Sequence, residues 1–247
     1  VIEPIGLIVG SGADSLGLAV DARSPTKTPY GEPSSPLLRL RFAGRDVLCI
    51  ARHGEAHRIP PHAVNYRANI WALREHGVER CVAINAVGVI GTDAFRPGML
   101  AVPEQLIDYT WGRAHTCDDG RDGPLQHIEF AEPFDPLLAG RIACAAASGG
   151  ETVARGVYGV TQGPRLETAA EIDRLARDGC TMVGMTAMPE AALARELGLR
   201  YAICAVGVNF AAGRGDLGTG IHDQLERFVA AGMARARTML QQLLPEL

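Results

Sequence analysis

Arg52-His53-Gly54 ends a short apolar run, Val47-Leu48-Cys49-Ile50-Ala51, of the kind that forms a buried strand. A guanidinium offers a fixed fork of donors that matches the oxygens of an oxyanion. An imidazole can add one more donor, and a glycine lets a ligand approach the backbone. Three further strand ends offer related chemistry. Ile5–Val9 runs into Gly10-Ser11-Gly12, and the run from Cys81 into Asn85-Ala86-Val87-Gly88. Gly184-Met185-Thr186 places a hydroxyl and a backbone N–H just ahead of a helix. Ser11, Arg52, His53, the Ala86 backbone and Thr186 together suit a phosphate. Each also has a plainer explanation: a carboxylate partner for Arg52, a tight turn at Gly10, loop surface for His53, His57 and His62.

Two more residues could read a planar heterocycle. Glu167 stands at the opening of a helix and Asn209 at the end of a strand. A 6-oxopurine presents N1–H as donor and O6 and N7 as acceptors; a carboxylate suits the first and a side-chain amide the others. Adenine has no N1–H, and an Asp at the strand end would suit it better. Met185 can lie flat against a sugar, or simply fill core. The plain alternatives are a dipole-complementing acid for Glu167 and a turn residue for Asn209.

The elements that must hold these residues alternate along the chain. Strands are expected at Ile5–Val9, Leu37–Phe42, Asp46–Ala51, Cys81–Val87, within Met99–Leu106, and at Gly156–Val160, Thr181–Met185 and Tyr201–Val208. Helices are expected from Asn65 to Gly77, over Pro136–Ala147, after Thr168 through Asp178, over Pro189–Leu197 and from about His222 to Leu244. Ala43-Gly44-Arg45 reads as a hairpin turn and residues 110–135 as a long loop. In the last helix Leu225, Phe228, Val229, Met233 and Leu240 share an inward face. This order predicts an α/β fold: one domain over residues 1–247, with a central mixed β-sheet flanked by helices and ligands at the strand ends.

Composition narrows the function. The formal net charge is −4, and no Lys/Arg-rich run appears, which argues against nucleic acid or an anionic membrane as partner. No apolar stretch is long enough to span a bilayer, and no signal peptide is expected. Six scattered cysteines without a CxxC pair suit reduced thiols in the cytoplasm, not a metal site or a disulfide framework. Gly10-Ser11-Gly12 lacks the rest of a dinucleotide fingerprint.

A resemblance runs through most of the chain. Arg52-His53-Gly54, His57 and Val64-Asn65-Tyr66-Arg67-Ala68-Asn69-Ile70-Trp71-Ala72-Leu73 resemble the phosphate-binding segment of the trimeric purine nucleoside phosphorylase family. The nearest subgroups are the 5'-methylthioadenosine and 5'-methylthioinosine phosphorylases. Val9-Gly10-Ser11-Gly12 and Thr28-Pro29-Tyr30-Gly31-Glu32-Pro33-Ser34 are similar to two further loops of that family. Gly163-Pro164-Arg165-Leu166-Glu167-Thr168 and Gly184-Met185-Thr186-Ala187-Met188-Pro189-Glu190 are similar to its base and ribose segments.

The resemblance implies Asn209, Arg52 and Thr186 as catalytic residues. It implies Ser11, Arg52, His53, Asn85, Ala86 and Thr186 around phosphate. Around the nucleoside it implies Met185, Glu167, Leu166, Asn209, Phe210, Ala211, His127 and His222, with His127 supplied by a neighbouring subunit of a homotrimer. Asn209 and Glu167 resemble the 6-oxopurine enzymes, whereas adenine-specific members carry Asp and Ser or Thr there. Asn85 replaces the family's usual Thr, and His222 stands where methylthio-specific members are apolar.

The implied reaction is phosphorolysis of a purine nucleoside, 5'-methylthioinosine above all, to free base and a pentose 1-phosphate, in purine salvage. Phosphate is the nucleophile and co-substrate, so neither cofactor nor metal is expected. Methylthioadenosine and inosine or guanosine remain alternative substrates, and a purine-binding sensor the non-enzymatic alternative.

Overall fold

The computed structural model describes residues 3–11, 16–91, 94–118, 120, 125, 127–215 and 221–247, the side chains of 221–227 lying outside that description. Its strands are β1 (Ile5–Val9), β2 (Ala22–Ser24), β3 (Leu37–Phe42), β4 (Arg45–Ala51), β5 (Arg80–Val89), β6 (Leu100–Asp108), β7 (Val153–Val160), β8 (Cys180–Gly184) and β9 (Arg200–Phe210). Its helices are α1 (Tyr66–Glu75), α2 (Pro136–Ser148), α3 (Ala169–Arg177), α4 (Ala187–Glu196) and α5 (Ile221–Leu243).

The described strands form one mixed sheet in the order β2-β3-β4-β1-β5-β8-β7-β6-β9. β9 returns to pair with β5 along ten residues, so β5, β8, β7, β6 and β9 make a ring and β1–β4 extend from it. Alternation along the strands feeds two cores. Ile8, Cys81, Ala83, Tyr201 and Ile203 face α1 and α4. Leu7, Val82, Ile84, Cys204 and Val206 face α2 and α5. A smaller cluster packs Ile172 and Leu175 of α3 against Cys180 and Val183. The α/β architecture follows from this two-sided burial.

Local chemistry explains several boundaries. Asn65 caps α1 by accepting from the Ala68 N–H, and Gly77 beyond its end takes φ +82°, as a helix stop requires. Asp135 caps α2. Ala43 and Gly44, both at positive φ, turn the β3–β4 hairpin. Residues 110–135 hold no strand or helix among those described. Two departures from the sequence reading stand out. The three-residue β2 is too short to leave a periodic signal, and the closure of the ring depends on non-local pairing. Among the described residues no helix is long and apolar enough to cross a membrane.

Candidate active site

Strand register gathers the predicted residues. Val9 at the end of β1 is level with Ala51 of β4 and with Ile84 of β5. Two residues further on, Ser11, His53 and Ala86 stand at three adjacent strand ends. β1 stops there, and β8 takes up pairing with β5 only at Gly88. Asn85–Val87 are thus paired to β9 on one side and open on the other, which is where ligands bind in such sheets. A cavity of about 610 Å³ occupies the gap. Ser11, Arg52, His53, Ala86 and Thr186 line it, and so do Leu166, Glu167, Met185, Asn209 and Ala211.

Arg52 is buried, and its fork is already engaged. Nε donates to Glu190 Oε2 at 2.8 Å, while Nη2 donates to Glu190 Oε1 at 2.8 Å and to Asn85 Oδ1 at 3.0 Å. Tyr201 donates its hydroxyl to the same Oε1 at 2.7 Å. The fork thus serves the carboxylate and not a phosphate, and what is left toward the cavity is the Nη1 edge, which also lies 3.5 Å from the Ile84 carbonyl. Nη1 lies against Gly10, where a Cβ would come within 2.7 Å of it. Burial opposes the guanidinium charge, but Glu190 outweighs it and keeps Arg52 charged beyond its usual range.

Asn85 does not line the cavity; it organises groups that do. Its Nδ2 donates to Thr186 Oγ1 at 3.1 Å and to the Tyr158 hydroxyl at 3.4 Å. Thr186 sits at the N-cap position of α4 but makes no side-chain cap bond. Because its oxygen accepts from Asn85, its own hydroxyl proton is free to donate.

His53 Nδ1 lies 2.8 Å from the Ile59 carbonyl. A carbonyl only accepts, so Nδ1 carries the proton and Nε2 is bare in the neutral ring. Burial, with Arg52 adding to it, pushes the His53 pKa down to about 4, so the ring is neutral near neutrality. His57 packs beside it, ring centroids 4.8 Å apart, and its Nε2 is 2.9 Å from Ser11 Oγ.

At the other end Thr161 donates its hydroxyl to Glu167 Oε1 at 2.5 Å. Glu167 precedes the helix: Thr168 is the N-cap, and Glu171 completes the capping box. The dipole-complementing part thus falls to Glu171 and leaves Glu167 to the cavity. A bulge between β5 and β9 sets Asn209 opposite Gly88. One Asn209 Nδ2 hydrogen goes to the Phe210 carbonyl at 2.7 Å, and the other has no acceptor among the described residues.

Besides Asn85, three predicted residues are not part of the cavity wall described. Phe210 is half-buried beside it, packed against the core. His127 is exposed, outside the pocket of its own chain. His222 lies outside the described side chains. Sequence reasoning also passed over wall residues. His57 and Pro60 were visible in their loop, and Val229 as an inward helix position, but nothing local showed that they meet at the cavity.

A family model described as "Phosphorylase superfamily" matches residues 4–245. The "Probable S-methyl-5'-thioinosine phosphorylase" of Xanthomonas campestris pv. campestris is 55% identical over 190 residues, 76% of either chain. That of Pseudomonas syringae pv. tomato is 48% identical over 242 residues, 96% of this chain and 97% of the relative. Among solved structures, methylthioadenosine phosphorylase from Schistosoma mansoni in complex with adenine superposes with a TM-score of 0.91. It is 30% identical, with 99% of this chain and 92% of that one covered. Family match, sequence identity and superposition agree, and the chain belongs to the phosphorylase superfamily.

Proposed function

We propose that this chain is a purine nucleoside phosphorylase whose preferred substrate is 5'-methylthioinosine, cleaved to hypoxanthine and 5-methylthioribose 1-phosphate. The observation that carries the base preference is the pairing of Glu167 and Asn209 at one end of the cavity. Thr161 occupies part of one Glu167 oxygen and leaves the carboxylate free to accept N1–H. The second Asn209 Nδ2 hydrogen can donate to N7 or O6. The similarity to thioinosine phosphorylases supports the same choice.

In this reading phosphate lies among Ser11, the Nη1 edge of Arg52, the Ala86 backbone and the Thr186 hydroxyl; the bare Nε2 of His53 is an acceptor and not the extra donor expected from the sequence, so it faces the proton of a monohydrogen phosphate. Met185 and Leu166 pack on the nucleoside, with Ala211 and Phe210 behind the base. The glycosidic bond loosens toward an oxocarbenium-like state, and the bonding pair moves onto the purine. Asn209 stabilises that growing charge, and phosphate oxygen forms the new bond to the anomeric carbon. Phosphate itself is the nucleophile, so the protein contributes position and electrostatics.

The working unit is a homotrimer, one chain supplying His127 to its neighbour's 5' pocket. The exposure of His127 in the single chain supports that arrangement. All six cysteines are free, which fits a reducing cytoplasm and a role in purine salvage. The test is release of hypoxanthine from 5'-methylthioinosine with and without inorganic phosphate. Release that requires phosphate supports the reading, and phosphate-independent release or none contradicts it.

A further inference from the structure

Arg113 lies in the long segment after β6, buried behind the cavity wall without touching the cavity. Each of its five N–H donors has an acceptor. Nε donates to Gln162 Oε1 at 3.2 Å. Nη1 donates to the carbonyls of Met185 at 2.7 Å and Met188 at 2.6 Å, and Nη2 to those of Thr161 at 3.3 Å and Gln162 at 2.8 Å. The guanidinium carbon stands 5.5 Å from the centre of the Tyr66 ring. These partners belong to two separate loops. One follows β7 and carries Thr161, whose hydroxyl holds Glu167. The other follows β8 and carries Met185 on the cavity wall.

We infer that Arg113 is a positioning residue that fixes the base-reading loop against the ribose-facing loop, setting the distance between Glu167 and Met185. Carbonyls at strand ends have lost their ladder partners and would otherwise need water. A planar five-donor fork satisfies three of them together with the Met188 carbonyl, at the non-helical start of α4, and so spans both segments, which a lysine ammonium cannot do from one point. No described hydrogen bond links Arg113 to a carboxylate; its cation is spent on four backbone carbonyls, the Gln162 side-chain amide and Tyr66. The phosphate end is held by other means: Thr186 by Asn85, and Arg52 by Glu190.

This inference rests on the nucleoside reading of the cavity, and the test separates the two. Arg113→Ala is compared with wild type on 5'-methylthioinosine, with phosphate binding measured by calorimetry in the absence of nucleoside. The expected result is a fall of about 10–100-fold in kcat/KM for the nucleoside, the worth of charge-assisted bonds. Phosphate affinity should stay within about twofold, as for an uncoupled site. Millimolar guanidinium should restore part of the lost rate, and methylammonium should not. Arg113→Lys, the variant to use where the alanine protein fails to fold, should show the same split. Hydrogen exchange over 161–168 and 184–188 reads the loop clamp without reference to activity; it should rise in Arg113→Lys. Wild-type exchange in both loops, or equal loss of phosphate and nucleoside affinity without guanidinium rescue, overturns the inference. An inactive wild type with increased exchange in the variant would instead overturn the substrate reading and leave the clamp standing.

Discussion

Arg52 and Glu190, 138 residues apart in sequence, close a two-point ion pair at 2.8 Å on each arm, both side chains almost wholly excluded from solvent. The pair sets the guanidinium at the floor of the cavity and turns one edge, Nη1, toward Gly10.

Removing one partner should strand the other charge. Arg52→Ala and Glu190→Ala are each expected to lose about 3–5 kcal/mol in urea unfolding. Arg52→Met combined with Glu190→Leu should recover much of that stability while phosphate-dependent turnover stays lost. A double variant no more stable than the singles would contradict the pairing as the source of the loss.

His53 should make the fold acid-sensitive. Its folded pKa is about 4, below the ordinary value of 6.5, so the unfolded chain binds a proton that the folded chain refuses. Stability is therefore full above 6.5 and falls as pH drops from 6.5 toward 4, by about 3 kcal/mol at most. His53→Asn should flatten that slope. Parallel unfolding curves for wild type and variant across this range are the check, and identical slopes would refute the burial of a neutral ring.

Thr161 holds Glu167 through one hydroxyl, and Thr161→Val removes only that donor. The nucleoside kcat/KM should fall roughly tenfold, with phosphate KM unchanged. Steady-state kinetics with each substrate varied in turn decides it; a fall in phosphate usage alone would reassign Thr161.

Much of this site was legible because its residues sit where strands end. Apolar runs located β1, β4, β5, β8 and β9, and the polar residues after them marked Ser11, Arg52, His53, Thr186 and Asn209. Thr168 and Glu171, three apart, form a capping box, yet Glu167 was read as the helix-opening acid because only the structure separates the two carboxylates. The destination of the Arg52 fork and the clamp at Arg113 could not be read at all. Both depend on partners 33 to 138 residues away, brought together by the pairing of distant strands. Val229 was rightly placed inward, but periodicity cannot distinguish a core wall from a cavity wall.

The proposed sharing of the site predicts complementation between chains. His127→Ala and Asn209→Ala proteins should each be poorly active, and their co-refolded mixture should regain activity through hybrid trimers that hold one intact pocket. Verified mixed trimers without recovery would contradict a His127 supplied by a neighbour.

The most direct test of the base assignment is a competition in one vessel between equal amounts of 5'-methylthioinosine and 5'-methylthioadenosine, with phosphate in excess. The ratio of initial rates of hypoxanthine and adenine release gives the ratio of kcat/KM. Wild type should favour hypoxanthine release by several kcal/mol of discrimination, on the order of a hundredfold or more, because an adenine has no N1–H for Glu167 and turns an amino donor toward Asn209 where O6 would accept. Asn209→Asp should move the ratio toward adenine, and Glu167→Ser with Asn209→Asp further still. Preferential adenine release by wild type, or a ratio unmoved by Asn209→Asp, would contradict Glu167 and Asn209 as the residues that read the base.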